Sequence, residues 1–88
     1  MSKSDLHRCR VCGLELPDPP WGIDGRSPTY EFCPCCGVEF GYGDATPVAA
    51  RRTREAWLQR GAAWSEPSER PCGWDLDEQL ADVPKDFR

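Results

Sequence analysis

Six cysteines are the residues whose types and spacing could do chemistry in this chain, and four of them repeat a pattern. Cys9-x-x-Cys12-Gly13 is followed, twenty residues later, by Cys33-x-x-Cys36-Gly37. Two residues between thiols let one tight turn aim both sulfurs at a single ion. The glycine behind supplies the left-handed backbone that closes the turn. One such pair alone could be a redox dithiol. Two together supply four sulfurs and close a tetrahedral site around one ion, zinc in the first instance, with iron as the other candidate. Cys9, Cys12, Cys33 and Cys36 are therefore the expected ligands, at metal–sulfur distances of about 2.3 Å. A zinc closed by four thiolates keeps no open coordination position. It is expected to be structural, and no catalytic residue is assigned.

The other candidates are weaker. Cys35 adds a third sulfur to the second pair, but Cys36 keeps the two-residue spacing and the glycine behind it. Cys35 is expected to point away from the metal at the tip of the turn, as a tolerated small residue or a reactive thiol. Cys72, between Pro71 and Gly73, has no partner spacing and reads as a buried or semi-exposed free thiol. His7 is the single histidine, read as exposed rather than as a ligand. No Ser-His-Asp or Cys-His-Asn set can be built around one histidine, and Gly41-Tyr42-Gly43 is too short for a phosphate loop.

Composition frames these residues. Eighty-eight residues make one domain, 1–88, and 39% apolar content with nine prolines and eight glycines leaves a thin core for which metal can substitute. No apolar run approaches the roughly 20 residues of a membrane span. The stretch Met1–Asp5 is polar and leads into no apolar segment, so no secretory leader is expected. The reducing cytoplasm is the expected compartment, where thiols bind metal rather than pair as disulfides. The net charge is −4, and four thiolates on a dication would take it to about −6. So acidic a chain is a poor ligand for nucleic acid or an anionic membrane.

The elements that must position the cysteines are short. Leu14 and Leu16 alternate around Glu15, residues 29–32 alternate again, and Val38 and Phe40 alternate around Glu39. These patterns predict short antiparallel strands near 14–16, 29–32 and 38–40 that carry the metal turns. Residues 17–28 hold four prolines and two glycines and read as a loop. Thr46-Pro47 predicts the start of a helix running to about Arg60, with Gly61 ending it. Its buried arc is expected to hold Ala49, Ala50, Thr53, Ala56 and Trp57. Arg51, Arg52, Arg54 and Arg60 point in four directions and read as a solvated face. Asp75, with Glu78 three residues on, predicts a second, shorter helix over 76–82 that stops before Pro84.

Tyr30-Glu31-Phe32-Cys33-Pro34-Cys35-Cys36-Gly37 resembles the second metal turn of small bacterial zinc-ribbon proteins of the cysteine-rich CPCC type. Phe40 to Ala45, Arg54 to Leu58, Gly61 to Trp64 and Trp74 to Leu80 resemble the same group, so the likeness spans residues 7–82. It implies a small α+β fold: a rubredoxin-like zinc ribbon of two or three short antiparallel strands with one main helix and a short C-terminal helix. It implies no substrate.

Three functions remain open at this level: a zinc-stabilised module that binds an unknown protein partner, an iron electron-transfer protein, and a nucleic-acid or transcription-associated module. For the first, at least one of Trp21, Trp64 and Trp74 is expected to keep exposed ring area beside an arginine, since Trp and Arg dominate binding hot spots.

Overall fold

Backbone hydrogen bonding in this chain is carried by helices and turns, not by a sheet. The computed structural model describes residues 3–88; Met1 and Ser2, part of the polar N-terminal stretch, lie outside the described residues. Three α-helices follow in chain order: α1 (Lys3–Leu6), α2 (Pro47–Gln59) and α3 (Leu76–Leu80). Single 3-10 turns cover Pro67–Glu69 and Lys85–Phe87. Among the described residues no helix is long and apolar enough to cross a membrane.

The antiparallel strands expected at 14–16, 29–32 and 38–40 do not form. Among the described residues there are only two isolated bridges, Arg8 with Glu15 and Phe32 with Glu39. The ribbon architecture is therefore not what this sequence builds. Local backbone stops each extended run after one pairing. Leu16 runs into Pro17, which has no N–H to continue a ladder. Tyr30 sits at φ +62°, in the left-handed region that ends an extended segment. Gly41 turns the chain at φ +100° directly after Phe40.

The main helix starts where the sequence places it. Thr46 Oγ1 accepts from the Ala49 N–H at 3.1 Å, and Pro47 fills the first turn. At the other end Gly61 N–H bonds the Leu58 carbonyl and Ala62 N–H reaches back to Trp57, the paired bonds of a Schellman ending. Asp75 caps α3 by accepting from Glu78 N–H at 3.0 Å. That helix is shorter than expected and ends at Leu80.

The buried stripe of α2 is Ala50, Thr53, Arg54 and Trp57, spaced i, i+3, i+4, i+7. Two expectations change. Ala56 is exposed, and Arg54 turns inward, half-buried. Trp57 is 1% exposed and donates its indole N–H to the Ala63 carbonyl at 2.8 Å. Around it lie Val11, Val38, Phe40, Trp64, Val83 and Phe87, together with five cysteines.

The proline-rich loop is tied down by a buried cation. Arg10 lies between the rings of Trp21 and Phe87, with its guanidinium carbon 4.1 and 4.4 Å from their centroids. Fully buried Asp44 accepts from Trp21 Nε1 and from the Gly41 N–H, each at 2.8 Å. Gly41-Tyr42-Gly43 is thus a turn closed on a carboxylate. Trp64 is covered, and its ring meets Trp74 edge-on at 5.4 Å. Trp21 and Trp74 are half-buried, with Arg10 over the first and Arg70 over the second.

Candidate metal centre

Each cysteine pair is built by the same three backbone hydrogen bonds. In the first turn, Cys9 N–H donates to Leu14, Gly13 N–H to Cys9 and Leu16 N–H to His7. In the second, Cys33 donates to Val38, Gly37 to Cys33 and Phe40 to Glu31. Every donor and acceptor of the first recurs 24 residues later, as in 9 to 33 and 16 to 40. The repeat reaches beyond the cysteines to Leu14-Glu15-Leu16 and Val38-Glu39-Phe40, which sequence reading had treated only as separate alternations. The bridges pinch each turn shut, so a short loop presents two sulfurs without needing a sheet beneath it.

The two turns face one another. The Sγ atoms of Cys9, Cys12, Cys33 and Cys36 all lie within 4.8 Å of one another, and all four residues are buried. Cys9 to Cys36 and Cys12 to Cys33 are each 3.7 Å apart. A tetrahedron with metal–sulfur bonds of about 2.3 Å has sulfur–sulfur edges of about 3.8 Å. The four residues therefore fit a metal ion in both spacing and donor chemistry. Without an ion the thiols share protons. Hydrogen bonds from Cys12, then from Cys36 and Cys9, hold Cys33 far below the usual thiol range. The same Cys33 contact pushes Cys12 well up. Loading a dication must displace protons from these thiols.

Cys35 is not part of this group. It is fully buried, and its Sγ accepts from Gln79 Nε2 at 3.3 Å. Cys72 is exposed. His7 Nδ1 donates to the Leu16 carbonyl at 3.0 Å and braces the first turn.

Two residues outside the cysteine motifs clamp the site. Arg54 on α2 donates through Nε to the Val11 carbonyl at 2.6 Å, through Nη2 to Arg10 at 3.1 Å, and also to the Phe87 carbonyl. Burial lowers its pKa. Gln79 on α3 donates to the Cys12 carbonyl at 3.2 Å and to Cys35, while its Oε1 accepts from Trp74 Nε1 at 2.8 Å. Sequence reading missed both roles. The available signal for Arg54 was its i+4 place on the Ala50 stripe, overridden because it is charged.

The two turn glycines give a graded prediction. Gly13 and Gly37 sit at φ +83° and +81°. A Cβ on Gly37 would meet only Ser65, at 3.6 Å, whereas one on Gly13 would lie 2.3 Å from the Gln79 carbonyl oxygen. Gly37→Ala is expected to cost about 1 kcal/mol, the left-handed penalty alone. Gly13→Ala is expected to cost about 3 kcal/mol or more, because backbone must also move. Urea unfolding of the metal-loaded proteins checks this. Equal costs would mean that α3 does not press on the first turn.

Two proteins of Bacillus subtilis (strain 168) are similar to this chain. Uncharacterized protein YozI is 29% identical over 82 residues, covering 75% of this chain and 68% of YozI. Uncharacterized protein YoaQ is 30% identical over 80 residues, covering 74% of this chain and 68% of YoaQ. No protein-family model matches the chain. No solved structure matches it.

Proposed function

The chain belongs to the family of YoaQ of Bacillus subtilis, and for this chain we propose that the four-cysteine centre serves as a zinc scaffold for a protein-interaction surface. The observation that carries this reading is closure: four thiols, all buried, surround one point and leave no side for a substrate. Zinc is the favoured ion because four thiolates in a tetrahedron suit its borderline softness and its lack of geometric preference. A structural zinc site is worth roughly 10–16 kcal/mol in zinc-finger peptides, against roughly 5–15 kcal/mol for the stability of whole domains. In a chain whose two turns each keep one bridge and whose α3 spans five residues, that is enough to decide folding. The centre is read as non-catalytic, and the protein as cytoplasmic, where reduced thiols remain available to metal. The Cys33-Pro34-Cys35-Cys36 run supports placing it with the cysteine-rich CPCC type.

Metal analysis of protein purified from cells grown without added metal tests the proposal. One zinc per chain and a colourless solution are expected. Stripping the ion with a strong chelator should then collapse the near-ultraviolet circular dichroism of the four tryptophans. One iron per chain with a visible thiolate band would replace the zinc reading. A stripped protein with unchanged tryptophan signals would remove the scaffold reading.

A further inference from the structure

A groove runs along the outside of the second metal turn. Its first hollow, of about 320 Å3, has Leu16, Pro17, Pro20, Phe32, Pro34 and Phe40 among its lining. A second, of about 230 Å3, shares Leu16, Pro17, Pro34 and Glu69 with it and continues to Trp64 and Pro71. The two therefore form one elongated depression. Phe32 on its wall is 65% exposed, so the depression is open along one side. Pockets that engulf small ligands run from about 300 to 1,000 Å3. A shallow double hollow at the low end of that range suits a chain segment laid across it.

Charge specifies the occupant. Five carboxylates line the two hollows: Asp18, Glu31, Glu66 and Glu69 on the first, and Glu15 on the second. Among the described residues no Lys, Arg or His lines either one. Among the described residues the recorded ion pair, Arg8 with Asp82, involves none of the five, although Arg8 lies across the bridge from Glu15. An apolar lining inside an acidic rim repels phosphates and acidic peptides alike and attracts a basic segment with an apolar anchor. Trp64, on the wall of the second hollow, also carries the one buried side-chain nitrogen among the described residues that has no acceptor.

We infer that this groove docks an extended, arginine- or lysine-rich segment of a partner protein, with one aromatic or long aliphatic side chain seated beside Phe32. The inference rests on the scaffold reading, because metal loading shapes the wall. Phe32 and Pro34 flank the ligand Cys33, and Ser65 N–H and Glu66 N–H bond the Cys35 and Pro34 carbonyls at 2.9 and 2.8 Å. Those two bonds hold Glu66 against the metal turn. Arginines of the partner stack on the exposed Phe32 ring and pair with the rim, while the anchor fills the proline-lined hollow.

The test titrates three capped octapeptides into the isotope-labelled, zinc-loaded full chain and follows amide shifts. The first has a central phenylalanine with two arginines on each side. The second replaces the arginines by glutamates, and the third replaces the phenylalanine by serine. The first is expected to bind at least tenfold tighter than either of the others, with shifts centred on Glu31, Phe32, Glu66 and Glu69. Phe32→Ala and the double change Glu66→Gln with Glu69→Gln should each weaken it at least fivefold. Phe32 is exposed, so its truncation leaves the fold in place. Equal binding by the serine peptide would reduce the site to a bare acidic patch and overturn the inference. So would absence of binding, tighter binding of the glutamate peptide, or self-association abolished by Phe32→Ala, which would make a second copy the occupant. A zinc-loaded chain that binds no peptide sinks the groove alone; a chain that stays folded without zinc sinks the scaffold reading instead.

Discussion

Cys36→Ser should abolish stoichiometric metal binding and unfold the metal turns, whereas Cys35→Ser should keep one ion per chain. The two residues are neighbours, yet only Cys36 places its Sγ among the four that lie within 4.8 Å of one another. Serine is a poor ligand for zinc at neutral pH, so Cys36→Ser forfeits much of the roughly 10–16 kcal/mol that such a site supplies, more than a marginal domain can lose. The same result is expected for Cys9, Cys12 and Cys33. At Cys35 the hydroxyl of serine can still accept from Gln79 Nε2, so the cost there is about 1 kcal/mol. Native mass spectrometry with near-ultraviolet circular dichroism reads both metal count and fold. Zinc lost from Cys35→Ser and retained in Cys36→Ser would reverse the ligand assignment.

Trp57→Ala is expected to destabilise the metal-loaded protein by about 3–5 kcal/mol. The ring is 1% exposed and lies among the core residues of both metal turns and the C-terminal segment. Its removal leaves a cavity and strands the Ala63 carbonyl that the indole satisfies at 2.8 Å. Trp57→Phe keeps most of the apolar volume and loses that bond, for about 1–2 kcal/mol. In so small a domain each kcal/mol moves the midpoint by roughly 4–8 °C, so alanine should lower Tm by roughly 15 °C or more. Thermal unfolding under saturating zinc checks the series. Equal effects of alanine and phenylalanine would mean that the hydrogen bond, not the packing, holds α2 in place.

What could be read from the chain was what is decided within a few residues. Cys9-x-x-Cys12-Gly13 and its counterpart announce themselves because the turn, the glycine and both sulfurs fall in five consecutive positions. The helix starts at Thr46-Pro47 and Asp75 were legible for the same reason: a cap satisfies a donor three residues away. Trp57 was placed in the core by helical period alone.

The ribbon expectation failed because alternation signals an extended run but not its length of pairing. Pro17, left-handed Tyr30 and Gly41 each end a run after one bridge. Cys35 was expected only to point away from the metal at the tip of the turn; what buries it, Gln79, lies 44 residues later. Arg54 was expected in solvent because it is charged. It turns inward because the carbonyls of Arg10, Val11 and Phe87 converge where no backbone N–H reaches them, and buried carbonyls demand a donor. The sequence by itself thus determined the four-cysteine group and the starts of α2 and α3, which depend on local covalent spacing. Tertiary structure alone decided the missing sheet, the clamps of Arg54 and Gln79 and the acidic groove, because each depends on which distant segments leave a hydrogen bond unmade or bring like charges together.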